Sequence, residues 1–304
     1  MIKEVLEKTD ALEEKIQALL AEEEKTEEIK VLQEEKKKLL ESCKDLEPGD
    51  RVFLARHPRR PHVEDFVSAL FTDFFEQKGD HLYDEDRSIY GGIARFHGRP
   101  VTVLGHRKGR TVEENLSCNF GMTCPEGYRK AKRLMEQAEK FDRPIITFVD
   151  TPGAYPGLEA EQHGQGEAIA KNLAFMSSLH VPVIAVVTGE GSSGGALGIC
   201  VANKILMLEN AIYSVLSPEG FATILWKDSS RAAEAAKVMK LTAKDLKEAN
   251  VADEVVPESL GGAQDDPESL YKALDQILEK ALAYYEGMSR HEIRKDRLSK
   301  FRNI

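Results

Sequence analysis

The sequence predicts an α/β protein built on a largely parallel sheet covered by helices. Three observations carry the prediction. Between residues 144 and 208, short apolar runs alternate with helical runs of 8–20 residues, the rhythm of βαβ units. The 304 residues are 41% hydrophobic, enough to bury a sizeable core. A glycine-rich stretch at residues 187–196 then joins an apolar run to a helical one, as strand-to-helix turns do.

Taken in order, residues 1–50 hold 9 Lys against 16 Asp/Glu, so most of the net charge of −10 lies there. Leu12, Ile16 and Leu19 make one thin apolar stripe, and Ile29, Leu32 and Leu39 another. The polar run 21–28 joins the two helices into a hairpin. Stripes this narrow cannot form a core, so the hairpin lies on the body or on another chain. Residues 1–48 are therefore expected to be a helical arm for assembly. After Glu47-Pro48-Gly49-Asp50 comes the basic segment ARHPRRP at 55–61, then a helix with Phe66, Leu70, Phe71 and Phe74 on one face.

Residues 88–96 and 100–104 read as strands about a bend at Gly98. A helix is expected over 128–141, a strand over 144–149, a helix over 160–179 and a strand over 181–187. A helix over 194–201 and a strand over 204–208 follow. The spacing then predicts helices over 231–239 and 243–249, a linker at Leu260-Gly261-Gly262, and an amphipathic helix over 269–285. The main domain is placed at 49–262. A C-terminal helix and basic tail fill 263–304, with residues 289–304 carrying a net +4.

Several function classes are excluded by composition. A net charge of −10 argues against nucleic acid as the main partner. No apolar run reaches 18 residues, so no membrane span is expected. The acidic N-terminus lacks the apolar segment of a signal peptide. Cys43, Cys118, Cys124 and Cys200 are widely spaced, with no metal-binding pattern among them, which points to reduced thiols in the cytoplasm.

The densest chemical signal is Gly189-Glu190-Gly191-Ser192-Ser193-Gly194-Gly195-Ala196. Three readings compete. Gly189-x-Gly191-x-x-Gly194, with Glu209 twenty residues after Gly189, matches the dinucleotide fingerprint of a Rossmann-type NAD-dependent oxidoreductase. Gly191-x-Ser193-x-Gly195 matches a nucleophile elbow, but only His291 follows Ser193 in the chain. The third reading uses only unpaired backbone N–H groups at the helix start to hold an oxyanion or phosphate.

Other motifs stand nearby. Asp150-Thr151-Pro152-Gly153-Ala154-Tyr155-Pro156-Gly157 leaves a strand at its C-terminal end, where α/β sheets gather ligands, and Tyr155 offers a flat wall. Cys118-Asn119-Phe120-Gly121-Met122 precedes a helix start and either lines a pocket or packs. Arg56, His57, Arg59 and Arg60 either meet an anion or an acidic partner, or form a solvated patch. Lys240 in Val238-Met239-Lys240-Leu241 sits in a helical run, unlike a biotin-bearing lysine. No G-x4-G-K-[ST] motif occurs, so no P-loop is expected.

Taken together, NFGMTCPEGYRKAKRLM at 119–135, FVDTPGAYPG at 148–157, GQGEAIAKNL at 164–173 and GEGSSGGAL at 189–197 are similar to one family, as are ARHPRRP, ILWKD at 224–228, LTAKDL at 241–246 and LGG at 260–262. The chain resembles the carboxyltransferase alpha subunit of bacterial acetyl-CoA carboxylase over nearly its whole length, departing from the family pattern at His163 and Ser192. The resemblance implies a crotonase-like fold of ββα superhelical turns, flanked by an N-terminal helical arm and a C-terminal helix. It implies transfer of a carboxyl group from carboxybiotin to acetyl-CoA, giving malonyl-CoA for fatty acid biosynthesis. Carboxybiotin arrives on a separate biotin carboxyl carrier protein, loaded by biotin carboxylase. The beta subunit, in an alpha2beta2 assembly, brings a zinc ribbon and acetyl-CoA contacts, and this chain needs no metal. The implied catalytic groups are the amides of Gly194 and Gly195. Gly121, Met122, Gly153, Ala154, Tyr155, Ser193 and Ala196 are the implied substrate contacts.

Overall fold

The computed structural model describes residues 2–21 and 26–304. Its eight strands are β1 (Thr72–Glu76), β2 (Ile89–Phe96), β3 (Arg99–His106), β4 (Ile145–Thr151), β5 (Val183–Ser192), β6 (Lys204–Leu208), β7 (Ile212–Ser214) and β8 (Glu254–Val256). They form one sheet in the order β1-β2-β3-β4-β5-β6-β8, with β7 also paired to β5. The first three strands are antiparallel and the remaining pairings parallel. Parallel strands covered on both faces must be apolar throughout, and every residue of β4 and β5 is buried.

Neighbouring positions of the paired strands β2 and β3 show the two covered faces. A side chain at Gly91 would meet Leu104 and Leu134, the latter on helix Pro125–Lys140. A side chain at Gly105 would meet Val63, on helix Val63–Leu70. On that second face Phe66 stacks on Phe148 at 5.3 Å and meets Tyr271 of helix Pro267–Tyr284 edge-on.

The apolar run 66–74 is not one helix. The helix ends at Leu70 and β1 starts at Thr72, so Phe74 lies in an edge strand and packs on Tyr90. The helical run 160–179 breaks at Gly164, whose φ of 83° lies in the left-handed region, giving helices Leu158–Gln162 and Gln165–Ser178. The strand expected to end at 187 runs on to Ser192, because it changes partner: residues 184–187 pair with β6 and residues 190–192 with β7. The helix after it is only Ser193–Leu197. Strands β7 and β8, three residues each, carry too little pattern to be seen in sequence.

Helices Ile2–Ala21 and Thr26–Glu41 pack on each other, and the connection at 22–25 lies outside the described residues. The arm is rooted on the body through Ile2, Leu6, Leu40 and Cys43 around Leu54. The segment 260–263 is packed rather than loose, since Gly261, Gly262 and Ala263 are buried. The basic tail forms helix Arg290–Arg302, docked on helix Gln165–Ser178. There the buried Arg297 guanidinium donates to the carbonyls of Met176, Leu179 and Val181. Among the described residues no helix is long and apolar enough to cross a membrane.

Candidate functional site

Three glycine-bearing segments meet beyond the C-terminal ends of β4 and β5. The first contains Gly121 and Met122. Its neighbour Thr123 forms a bridge with Ala154, and the Tyr155 amide donates to the Thr123 carbonyl. The second is the loop after β4. The Thr151 hydroxyl donates to the Gly121 carbonyl at 2.7 Å and accepts from the Gly153 amide, so this threonine ties the first two segments together. Gln165 completes the tie, its side-chain nitrogen donating to the carbonyls of Thr123 and Tyr155. The third segment is the turn at 192–196. A Cβ at Gly195 would stand 2.5 Å from the Gly153 carbonyl carbon and from the Ala154 amide nitrogen, so only glycine fits.

Within the third segment the residues differ sharply. Ser193 is exposed and has a φ of 54°, a left-handed strain at the strand-to-helix junction. Gly194 is partly open, with only Ile169 near the place of a Cβ, at 3.7 Å. Gly195 is buried, and Ala196 belongs to the hydrophobic core. No side-chain hydrogen bond caps the helix, and first-turn amides have no intrahelical acceptor. At Gly153 nothing lies within 4 Å of where a side chain would be. The space above Gly153 and Gly194 is thus open, while that beneath Gly195 is filled by backbone.

The geometry decides among the competing motif readings. Gly189 and Gly191 lie inside β5 rather than in a phosphate-binding turn. They are glycines because Asp150 and Tyr213 occupy the space a side chain would need, at 2.4 and 2.6 Å. Glu209 accepts from the Glu258 amide and pairs with Arg51, rather than facing a ribose site. Ser193 has the strained backbone of an elbow. His291, however, is on a helix whose Arg290 pairs with Glu139 and Asp142, just before β4 begins and so at the opposite end of the sheet. Lys240 is the left-handed cap after helix Ala232–Met239 and pairs with Asp245.

The basic cluster is consumed inside the chain. Arg60 and Glu258 form a buried two-point ion pair, and the Arg60 Nε donates to the Thr188 carbonyl. Arg59 pairs with Asp10 of the arm. Arg56 donates to Glu190 at 2.8 Å and to Glu219 at 2.8 Å. Burial lowers the His57 imidazole below its ordinary value, and Arg59 adds to that.

Next to the three segments lies a group of charges whose cation belongs to none of the sequence motifs. Lys108, two residues past β3, donates to Asp150 at 2.7 Å and approaches Glu190 at 3.4 Å. Burial alone would lower the Lys108 ammonium, but the carboxylates of Asp150 and Glu190 outweigh it and hold the group above its ordinary value. The Glu190 amide donates back to Asp150 at 3.0 Å. His106 lies buried on the same strand, and burial drives its imidazole down to about 4 despite the pull of Asp150 and of the Gly195 backbone. The available sequence signal was a Lys just after the apolar run VTVLGH, level with the loop that follows ITFVD.

Tyr155 lines a cavity of about 230 Å³ with Asn119, Cys124, Glu126, Glu159 and His163. His163 bonds Glu126 at 2.9 Å and packs edge-on against Tyr83. Burial and the nearby carboxylates of Asp86, Glu126 and Glu159 push the Cys124 thiol up to about 12, so it is no nucleophile. All four cysteines are free.

Comparison with known proteins places this architecture. The transcarboxylase 12S core solved with methylmalonyl-coenzyme A and methylmalonic acid superposes with a TM-score of 0.61 at 20% identity, over 75% of this chain and 42% of that one. The chain thus spans less than half of that protein. A Pseudomonas malonate decarboxylase hetero-tetramer in complex with coenzyme A matches with a TM-score of 0.57 at 18% identity, over 69% of this chain and 84% of that one. The fold is therefore crotonase-like, and no Rossmann dinucleotide unit is present among the described residues. A family model described as acetyl co-enzyme A carboxylase carboxyltransferase-like matches residues 2–304. An acetyl-coenzyme A carboxylase carboxyl transferase subunit alpha of Clostridium acetobutylicum is 54% identical over 265 residues, covering 87% of this chain and 97% of that one. One from Bacillus cytotoxicus is 51% identical over 280 residues, covering 92% and 86%. Fold and sequence together define a biotin-dependent carboxyltransferase component. The chain belongs to the family of acetyl-CoA carboxylase carboxyl transferase alpha subunits.

Proposed function

We propose that the turn at 192–196, the loop at 151–157 and the segment at 121–122 form this chain's half of a carboxyl-transfer site that makes malonyl-CoA from acetyl-CoA. The observation that carries this is the contact of Gly195 with the Gly153–Ala154 peptide, beside open space over Gly153 and Gly194. A flat ureido ring suits such a surface, where Ile169 is the side chain nearest to Gly194 and none lies within 4 Å of the Cβ position at Gly153. When bound, carboxybiotin supplies the carboxyl group and, after losing it, the proton acceptor. The chain's own part is to bind and orient. The amides of Gly194 and Gly195 donate to a negative oxygen, and one good oxyanion donor is worth about 3 kcal/mol. Tyr155 walls one side. Ser193 and Met122 border the approach, the buried Gly121 backs it, and Ala196 fixes the turn from the core.

Partners follow from what the chain lacks and exposes. A beta-type subunit would bring acetyl-CoA contacts and a zinc ribbon, in an alpha2beta2 assembly. A biotin carboxyl carrier protein, loaded by biotin carboxylase, would deliver the carboxyl group in the cytoplasm. Large apolar side chains are exposed, Leu197 and Val215 beside the turn and Ile224 and Leu225 on helix Pro218–Trp226, as an uncovered interface requires. Residues 1–48 would serve assembly, which an unchanged oligomer by light scattering after deletion of residues 1–45 would refute. The reaction itself is tested by combining the chain with a beta subunit, biotinylated carrier protein, biotin carboxylase, ATP and bicarbonate, and measuring malonyl-CoA. Malonyl-CoA synthesis should need both chains. If this chain adds nothing to the beta subunit alone, the proposal fails.

A further inference from the structure

Lys108 touches the first segment of the site and the residues that lead into the other two. Its ammonium donates to Asp150, the residue that opens the loop at 151–157. The same nitrogen approaches Glu190, which leads into the turn at 192–196. Its aliphatic stem lies against Gly121, where a Cβ would stand 3.0 Å from the Lys108 Cγ and 3.4 Å from the Cε. Gly121 itself has a φ of 77°, so its backbone is shaped around this side chain in a conformation that other residues resist.

The charges around Lys108 come from several elements. Arg56 faces Glu190 from the C-terminal cap of helix Pro48–Ala55, and Glu219 faces Arg56 from helix Pro218–Trp226. His62 and His106 face Asp150, and burial keeps both imidazoles below their ordinary values. Among the described residues Asp150 and Glu190 thus have two cations bonded to them, Lys108 and Arg56, and only Lys108 bonds to both.

We propose that Lys108 is a positioning residue for carboxyl transfer: by bonding Asp150 and Glu190 while its stem supports Gly121, it sets the mutual placement of the three glycine segments. It does not touch the reacting atoms. It acts through Gly195, whose amide sits where it does only if the 151–157 loop and the end of β5 keep their spacing. An ammonium suits this task because it is a compact charge with three donors on a flexible stem, able to serve two carboxylates at once. The inference rests on the carboxyl-transfer reading for its effect on rate, but not for its effect on the loops.

The test uses the full chain with its beta subunit, supplied with biotinylated carrier protein, biotin carboxylase, ATP and bicarbonate, as wild type, Lys108→Met and Lys108→Arg. Lys108→Met should lower kcat roughly 100-fold, as a displacement of about 1 Å does in a site built on orientation. KM for acetyl-CoA should stay within about twofold, because that substrate is held largely by the partner, a split expected of lost orientation rather than lost binding. Lys108→Arg should recover part of kcat. Amide hydrogen exchange in residues 118–123, 151–157 and 189–195 should speed up together in Lys108→Met and less in Lys108→Arg. Exchange unchanged in those segments, or wild-type kcat in Lys108→Met, overturns the assignment. If Lys108→Met does not fold, Lys108→Gln carries the same test, and wild-type kcat or exchange in it overturns the assignment. If the wild-type complex makes no malonyl-CoA, the reaction reading fails on its own, and the exchange result still decides the role of Lys108.

Discussion

Gly195 lies so close to Ala154 that a Cβ on the glycine would stand 2.5 Å from the alanine amide nitrogen. Real side chains never come that near to backbone, so even Gly195→Ala must push the loop at 151–157 away from the turn. Gly194 is the control, since its Cβ would meet only Ile169 methyls at 3.7–3.8 Å. Gly195→Ala should therefore cut carboxyl transfer about 100-fold or more, in line with loss of an oxyanion donor. Gly194→Ala should fold with a thermal midpoint near wild type. Steady-state assays with the beta subunit, alongside melting curves, check both. An equal loss of thermal stability in the two variants would contradict the packing.

Arg60 and Glu258 form a two-point ion pair with side chains 3% and 0% exposed. Burial alone would raise Glu258, but Arg60 and the donors from Asn210 hold its carboxyl below the ordinary value. The pair also steadies the strand before Gly189, because Arg60 donates to the Thr188 carbonyl. Arg60→Ala would strand a buried carboxylate at a cost of about 3–5 kcal/mol. A group depressed in the folded state stabilises above its unfolded value and loses that contribution on acidification. The deficit of Arg60→Ala in urea should therefore be largest near pH 7 and shrink as pH falls through the carboxylate range. Arg60→Lys cannot form the two-point contact and should recover only part.

Arg297 is a buried cation whose direct partners are oxygens of neutral groups. It donates to three carbonyls at the end of helix Gln165–Ser178 and beyond it, and to the Asn203 side chain. Burial lowers the guanidinium to about 10, so it stays charged at neutral pH. Hydrogen bonds from a charged donor contribute about 1.5–3 kcal/mol each, and they are not additive here because one side chain makes them all. Arg297→Ala should release helix Arg290–Arg302. The thermal midpoint should fall by several degrees, and proteolysis should begin within residues 289–304. Resistance of that tail to protease in the variant would refute the docking.

How much of this was legible follows from what each element had to do. β4 and β5 announced themselves because strands buried on both faces must be apolar without interruption. The close approach of Gly195 to the 151–157 loop was foreshadowed by the glycines of both segments. Gly189 and Gly191 misled, since their smallness answers to Asp150 and Tyr213, residues far off in sequence. Phe74 misled because its run is equally apolar as helix or strand, and only pairing with β2 decides. The basic cluster could not be resolved locally, as its acidic partners stand 49 to 198 residues away. Lys108 and His106 were invisible for the same reason: a Lys and a His beside a strand become part of a site only once β4 and β5 are laid next to it.

His106 supplies a pH test of that buried layer. Its ring is almost wholly buried, with Asp150 and the Gly195 backbone as its polar neighbours. Burial, the largest effect, drives the imidazole from 6.5 to about 4. The folded protein therefore keeps His106 neutral where the unfolded chain would bind a proton. Between about pH 6.5 and pH 4 the unfolded state holds more protons, so stability falls as pH falls through that window. At 1.36 kcal/mol for each pKa unit, the shift corresponds to about 3 kcal/mol lost by pH 4. His106→Leu removes the titration while keeping an apolar fill under Gly195. Its urea midpoint should therefore drop less than that of wild type between pH 7 and pH 5. The comparison isolates this ring from His57 and His62, which are also depressed by burial and titrate in both proteins. Parallel acid-sensitivity in wild type and His106→Leu would show that the imidazole is not held neutral by the fold.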